Sequence, residues 1–188
     1  MPIKPFIAAV ASCCAMLTSA LAHELQENRL TLVMRDDTHV SVTYFLNYTE
    51  ALHRALAPKQ TLQEFVLRYA ALSPSDFQKE LSKAQAIFTI GFKLTQPKDE
   101  VLTVGNWRWP DPQRVQADVQ ERAMQAVVGD SKHPTHSAFE VRAEATASRP
   151  ITSVGIKVPP EFSKVLVVSY KPRQAWASPQ AGILQIQF

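Results

Sequence analysis

Cysteine and glycine are scarce in this chain of 188 residues, which has two cysteines and five glycines. Both cysteines, Cys13 and Cys14, lie in an apolar segment near the N-terminus. The sequence after residue 22 therefore offers no disulfide, no thiol nucleophile and no cysteine-ligated metal site. The glycines lie too far apart in sequence to form a phosphate-binding loop; they are at positions 91, 105, 129, 155 and 182.

Clustered positive charge is also absent. Lysine and arginine total 20 against 17 acidic residues, which gives a formal net charge of +3. No run of lysine and arginine exceeds two residues, whereas proteins that bind nucleic acid present a clustered basic stripe. We therefore expect no nucleic-acid partner.

Residues 1–22 have the pattern of a secretory signal peptide. Lys4 supplies a positive charge, residues 6–17 form an apolar run, and Ala20-Leu21-Ala22 matches the small-residue cleavage pattern. Cleavage after Ala22 would leave a single periplasmic or secreted domain over residues 23–188. An alternative is a lipoprotein, because the four residues ending at Cys13 resemble a lipobox. No later segment approaches the ~20 apolar residues of a membrane span, so we expect no transmembrane segment in the mature chain.

Alternating apolar and polar residues predict several short β-strands. The first pair is expected over residues 29–46, where a polar turn joins two alternating runs into an antiparallel hairpin. Val40, Val42, Tyr44 and Leu46 would share one face of its second strand. Further strand candidates are residues 86–94, 100–104, 138–147, 151–158, 164–170 and 182–188.

Two regions show helical patterns instead. Residues 49–85 predict two or three short helices, with Thr49, Thr61 and Ser73 as N-cap residues. A stripe with helical spacing in this region consists of Leu62, Phe65, Val66 and Tyr69. A later helix is expected to begin after Asp111 and to end at Gly129. The sequence therefore predicts an α+β domain that is mainly β, a two-layer β-sandwich-like fold with a helical insertion around residues 49–85.

No enzyme motif is recognisable, so we predict no catalytic residues and expect a protein that is not an enzyme. Metal-ligating candidates come from the five histidines. His133 and His136 form a His-x-x-His pair in a predicted loop, whereas His53 lies on a predicted helix as a packing or surface residue. The loop pair is read either as two solvated side chains or as part of a metal site.

His23 would become the first residue if the signal is cleaved after Ala22. Its α-amino group and imidazole could then chelate copper(II), which favours nitrogen ligands. A third nitrogen would come from His133 or His136, with His39 as a further candidate. This N-terminal histidine resembles the start of copper-dependent polysaccharide monooxygenases and of CopC-type copper carriers. That single-residue resemblance implies copper as a cofactor.

A longer pattern covers residues 22–105. Ala22-His23-Glu24-Leu25 follows the signal, and then come the hairpin, residues 48–56 with the sequence YTEALHRAL, and a helical stretch. This order resembles the extracytoplasmic domain of HupE/UreJ-type membrane proteins. The family is linked to metal supply, but this sequence lacks its transmembrane helices, so the resemblance implies no transport role.

Three tryptophans offer another kind of surface. Trp107 and Trp109 would share a face of an extended segment, and Trp176 lies near the C-terminus. They are either core residues or part of a binding surface. We therefore predict a non-enzymatic periplasmic accessory or binding protein, and metal handling is one role that such a protein could have. The alternatives are a copper-binding redox protein that uses His23 and a protein–protein interaction module.

Overall fold

A computed structural model describes residues 28–98, 100–129 and 138–172. It contains β1 (Asn28–Met34), β2 (His39–Asn47), α1 (Tyr48–Leu56), α2 (Leu62–Ala70), α3 (Pro74–Gly91), β3 (Lys93–Gln96), β4 (Glu100–Val101), β5 (Thr103–Arg108), α4 (Pro112–Val128), β6 (Ala138–Thr146), β7 (Gly155–Lys157), a 3-10 turn (Pro160–Phe162) and β8 (Val165–Tyr170).

The strands form two sheets. The larger sheet has the order β5-β6-β2-β1-β8, in which β8 pairs with β1 in parallel and all other neighbours are antiparallel. The smaller sheet has the order β4-β3-β7 and is antiparallel. The predicted hairpin over residues 29–46 is confirmed, with Leu30 opposite Tyr44 in the register of β1 and β2.

One face of the larger sheet is buried and the other is open. The predicted face of β2 is buried, and β6 buries the residues that alternate in the same way, Phe139, Val141, Ala143 and Ala145. Rings from α1, the end of α3 and the 3-10 turn cover this face: Tyr48 contacts Phe139, and Tyr44 contacts Phe92 and Phe162. The opposite face carries the polar side chains of the same strands.

Three of the four helices begin at N-cap residues that the sequence indicates, but the predicted cap Thr49 is wrong. Asn47 caps α1, and Thr49 lies buried inside that helix, where its hydroxyl donates to Asp118. The Thr61 side chain and the Glu64 carboxylate form a reciprocal capping box at α2. Asp111 caps α4, which ends at Gly129 in a left-handed conformation with φ 74°. The predicted stripe on α2 is largely buried: Phe65, Val66 and Tyr69 are buried and Leu62 is partly buried.

The predicted strand over residues 86–94 is wrong in its first part. α3 continues to Gly91, and β3 begins only at Lys93. The reason is a buried helical stripe, because Phe77, Leu81, Ala84 and Phe88 all face the core while Ile90 is exposed. This tertiary packing outweighs the β-propensity of the isoleucines and of the intervening threonine.

The fold class is α+β, as predicted. Helix makes up 41% and strand 34% of the described residues, so the description of the domain as mainly β is not confirmed. The described part of the chain has two sheets, and the β-sandwich is not confirmed either. Within the described ranges, no helix has the length and apolar character needed to cross a membrane.

Candidate functional site

Several predicted site residues lie outside the part of the chain that the structure describes. They are His23, His133, His136 and Trp176. The histidine-brace prediction therefore stays a prediction. Among the residues that are described, no group of three or more histidine, cysteine or acidic side chains is arranged to hold a metal ion.

His39, the further candidate ligand, is the first residue of β2 and adjoins the turn between β1 and β2. Its Nδ1 lies 2.9 Å from Oδ2 and 3.0 Å from Oδ1 of Asp36. The Thr38 hydroxyl is also 3.0 Å from this nitrogen. The imidazole is exposed, and these contacts give it a local role in closing the hairpin.

We expect the pKa of Asp36 to lie below the usual value for an aspartate. The backbone N–H of Thr38 donates a hydrogen bond to it and the His39 side chain contacts it, which lowers its pKa from 3.8 to about 2. A depressed folded pKa stabilises the turn above about pH 4, and this contribution is lost as the pH falls through about 2. Carboxyl ¹³C shifts measured against pH should show this value. Thr38→Val keeps the backbone N–H donor, so the pKa of Asp36 should stay mostly lowered in this variant. A wild-type pKa near 3.8 would contradict the proposed role of these hydrogen bonds.

His53 has a packing role. Its Nε2 lies 2.7 Å from the Gln60 carbonyl oxygen, and its ring centroid is 5.4 Å from that of Phe65. The ring therefore joins the end of α1 to the start of α2. These contacts agree with the packing role that the sequence indicates for His53.

Trp107 and Trp109 share a face, as predicted. Their rings stack with centroids 5.0 Å apart and an interplanar angle of 6°. Trp107 contacts Phe92 and Trp109 contacts Phe88, so both half-buried rings extend the aromatic core. They form a wall of the core and present only part of their surface to solvent.

The open face of the larger sheet contains a polar concavity across β5, β6 and β2, with a volume of about 330 Å³. Three arginines and two glutamates lie around it, together with small polar side chains. Its lining is Arg35, Ser41, Val42, Thr43, Asn106, Arg108, Glu140, Arg142, Ala143 and Glu144. We refer to this surface as the arginine concavity.

A β-bulge in β5 shapes the arginine concavity. Gly105 lies opposite Glu144, and Arg108 lies opposite Arg142, so β5 has one more residue than β6 between these pairs. The extra residue resets the alternation of β5. Trp107 therefore packs against the core, while Arg108 is exposed on the open face.

Hydrogen bonds hold most of the charged side chains of the arginine concavity. Arg35 Nε donates to the Ser41 hydroxyl at 2.8 Å, and Arg142 Nε donates to the Glu140 carboxylate. Glu140 thereby raises the pKa of Arg142 above its usual value. Within the described residues, the Arg108 side chain has no hydrogen-bond or ion-pair partner.

A second surface is an apolar groove between α2 and α4, with a volume of about 630 Å³. Its lining is Leu67, Ala70, Ala71, Gln120, Ala123, Met124, Val127 and Val128. Met124, Val127 and Val128 are 69%, 73% and 75% exposed. Gln120, the polar side chain among these lining residues, donates to the Ala70 carbonyl oxygen at 3.4 Å. We refer to this surface as the α2–α4 groove.

The sequence reasoning did not identify the arginine concavity. One signal was present, because Glu140, Arg142 and Glu144 alternate with buried residues and must therefore share the solvent face of one strand. Arg108 gave no such signal. Strict alternation from Gly105 would place Arg108 on the buried face of the sheet, and only the bulge brings it to the open face.

The comparisons with known proteins add no family assignment. Neither the family models, nor the curated proteins, nor the solved structures contain a match to this chain.

Proposed function

We propose that this protein is a non-enzymatic periplasmic binding protein that holds a small polar ligand on the open face of its larger sheet. The observation that carries the proposal is the arginine concavity. The helices cover one face only, and the other face gathers three guanidinium groups, two carboxylates, two hydroxyls and an amide around one depression. Convergent polar groups of this kind orient a ligand and provide specificity.

The chemistry of the lining favours binding over catalysis. Its described side chains include neither histidine nor cysteine, and the Ser41 hydroxyl accepts a hydrogen bond from an arginine that cannot act as a base. Nucleophilic catalysis needs a base within hydrogen-bond reach of the nucleophile. The periplasmic location in this proposal rests on the signal-like residues 1–22.

The two sequence-based alternatives have different support. The copper-binding protein depends on His23, His133 and His136, and it stays a prediction. The protein-interaction module is supported by the α2–α4 groove, because exposed apolar surface with a methionine suits the apolar face of a partner. That groove lacks the convergent polar groups that distinguish the arginine concavity.

A thermal-shift screen with a blocked variant tests the proposed function. The panel contains carboxylates, phosphate esters, amino acids and neutral sugars. Because a ligand that binds only the folded state raises the melting temperature, we expect at least one class to stabilise the wild type. Thr43→Trp places a large side chain on the open face of β2, which a strand tolerates, and should abolish this stabilisation.

Leu67→Trp in the α2–α4 groove is the matched control. It introduces the same side chain at the other surface and should leave the stabilisation unchanged. The proposal is contradicted if no compound raises the melting temperature, or if every active compound acts equally on Thr43→Trp.

A further inference from the structure

Arg108 and Arg142 face each other directly across β5 and β6. Like charges at opposite positions of neighbouring strands destabilise a sheet. Both side chains are exposed on the open face, and only Arg142 has a carboxylate partner within the described residues. The Arg108 charge is therefore the one that no described carboxylate offsets, and an unfavourable local arrangement of this kind is typical of a functional position.

The backbone beside this pair is also unusual. Asn106, in the bulge, has φ 53°, in the left-handed region that asparagine tolerates better than most residues. Its side-chain amide donates to Glu144 at 2.9 Å, which holds that carboxylate beside the bulge. Bulges of this kind re-aim a side chain, and here the re-aimed side chain is Arg108.

The charge balance of the arginine concavity indicates the class of ligand. Three arginines against two glutamates leave an excess of one positive charge. Glu140 is paired with Arg142 and Glu144 accepts a hydrogen bond from Asn106, whereas Arg108 has no partner in the described residues. A guanidinium has five N–H donors in a planar fork that matches the oxygens of a carboxylate or a phosphate.

We propose that Arg108 and Arg142 together bind an oxyanion group of the ligand, a carboxylate or a phosphate, at the β5 bulge. An oxyanion between the two guanidinium groups neutralises their repulsion and accepts hydrogen bonds from both. Arg35 and the hydroxyls of Ser41 and Thr43 line the rest of the same concavity and supply further donors. This inference rests on the proposed function and names its ligand class.

Calorimetric titrations of the purified protein test the inference, with inorganic phosphate and citrate as separate probes. Sodium chloride is added so that all titrations have the same ionic strength. Arg108→Gln and Arg142→Gln should each weaken binding of the active probe about tenfold or more, since hydrogen bonds to charged groups contribute roughly 1.5–3 kcal/mol. Lys59→Gln removes the same charge from an exposed loop and should change affinity less than about twofold.

Two further readouts separate ligand binding from a structural role. Without ligand, Arg108→Gln should melt at or above the wild-type temperature, because it removes a like-charge pair. Arg108→Lys keeps the charge but loses the fork, and should recover only part of the affinity. If phosphate binds and citrate does not, the ligand's oxyanion group is a phosphate. If citrate binds and phosphate does not, the group is a carboxylate.

The inference is overturned if the wild type binds neither probe, or if both arginine variants bind as the wild type does. It is also overturned if Lys59→Gln loses as much affinity as they do. In each case the proposed function survives if a neutral or cationic compound stabilises the wild type and not Thr43→Trp. It fails with the inference if no compound distinguishes those two proteins.

Discussion

Replacing Phe88 by alanine is expected to lower the free energy of unfolding by about 3–5 kcal/mol. Phe88 is fully buried near the end of α3, and its ring contacts Tyr48, Trp109 and Phe162, with centroids 6.0, 6.3 and 4.8 Å away. Truncation would leave a cavity where helix, 3-10 turn and tryptophan wall meet. Urea denaturation, monitored by circular dichroism, measures the decrease in the free energy of unfolding.

Ile90→Ala is the control for this experiment. Ile90 is two residues further along the chain and is 74% exposed, so its truncation should change stability by less than about 0.5 kcal/mol. In a strand, residues two apart share a face, so both variants would then be similarly destabilised. Equal losses at Phe88 and Ile90 would therefore contradict the helical assignment of residues 86–91.

Replacing Asp118 by alanine is expected to lower the free energy of unfolding by a similar amount, because a buried ion pair loses one partner. Asp118 Oδ2 accepts hydrogen bonds from Arg122 Nε at 3.0 Å and from the Thr49 hydroxyl at 2.6 Å. The side chains of the pair are only 5% and 10% exposed. Removing the carboxylate leaves a buried guanidinium unpaired, which costs about 3–5 kcal/mol.

Two comparisons make the Asp118 result specific. Glu121→Ala removes an exposed carboxylate from the same helix and should change stability by less than about 0.5 kcal/mol. The triple variant Thr49→Val, Asp118→Leu, Arg122→Met replaces the whole network by apolar groups and should recover most of the loss. Thermal melts of these proteins beside the wild type check both statements. A triple variant as unstable as Asp118→Ala would show that packing, and not the unpaired charge, is responsible.

Local patterns were sufficient for much of the fold. The hairpin of β1 and β2 follows from alternation and a polar turn, and α4 follows from Asp111 at one end and Gly129 at the other. These elements are determined by residues close in sequence, where capping and periodicity act. They are the parts in which prediction and structure agree.

Long-range packing determines the features that the sequence did not predict. The end of α3 depends on the fit of Phe88 among rings from α1, the 3-10 turn and the segment after β5, which no local window contains. The parallel pairing of β8 with β1 joins strands from opposite ends of the described chain. The same holds for the arginine concavity, because one inserted residue in β5 decides which face Arg108 occupies.

Amide chemical-shift mapping during titration with the active oxyanion probe is the most direct measurement of the central claim, that the open sheet face is the ligand-binding surface. The claim predicts saturable shifts that are largest at Ser41 and Thr43 on β2, at the β5 bulge and at Arg142. They should be absent in Thr43→Trp and preserved in Leu67→Trp. Shifts concentrated at Met124 and Val127 in the α2–α4 groove, or no saturable shifts on the sheet, would contradict it.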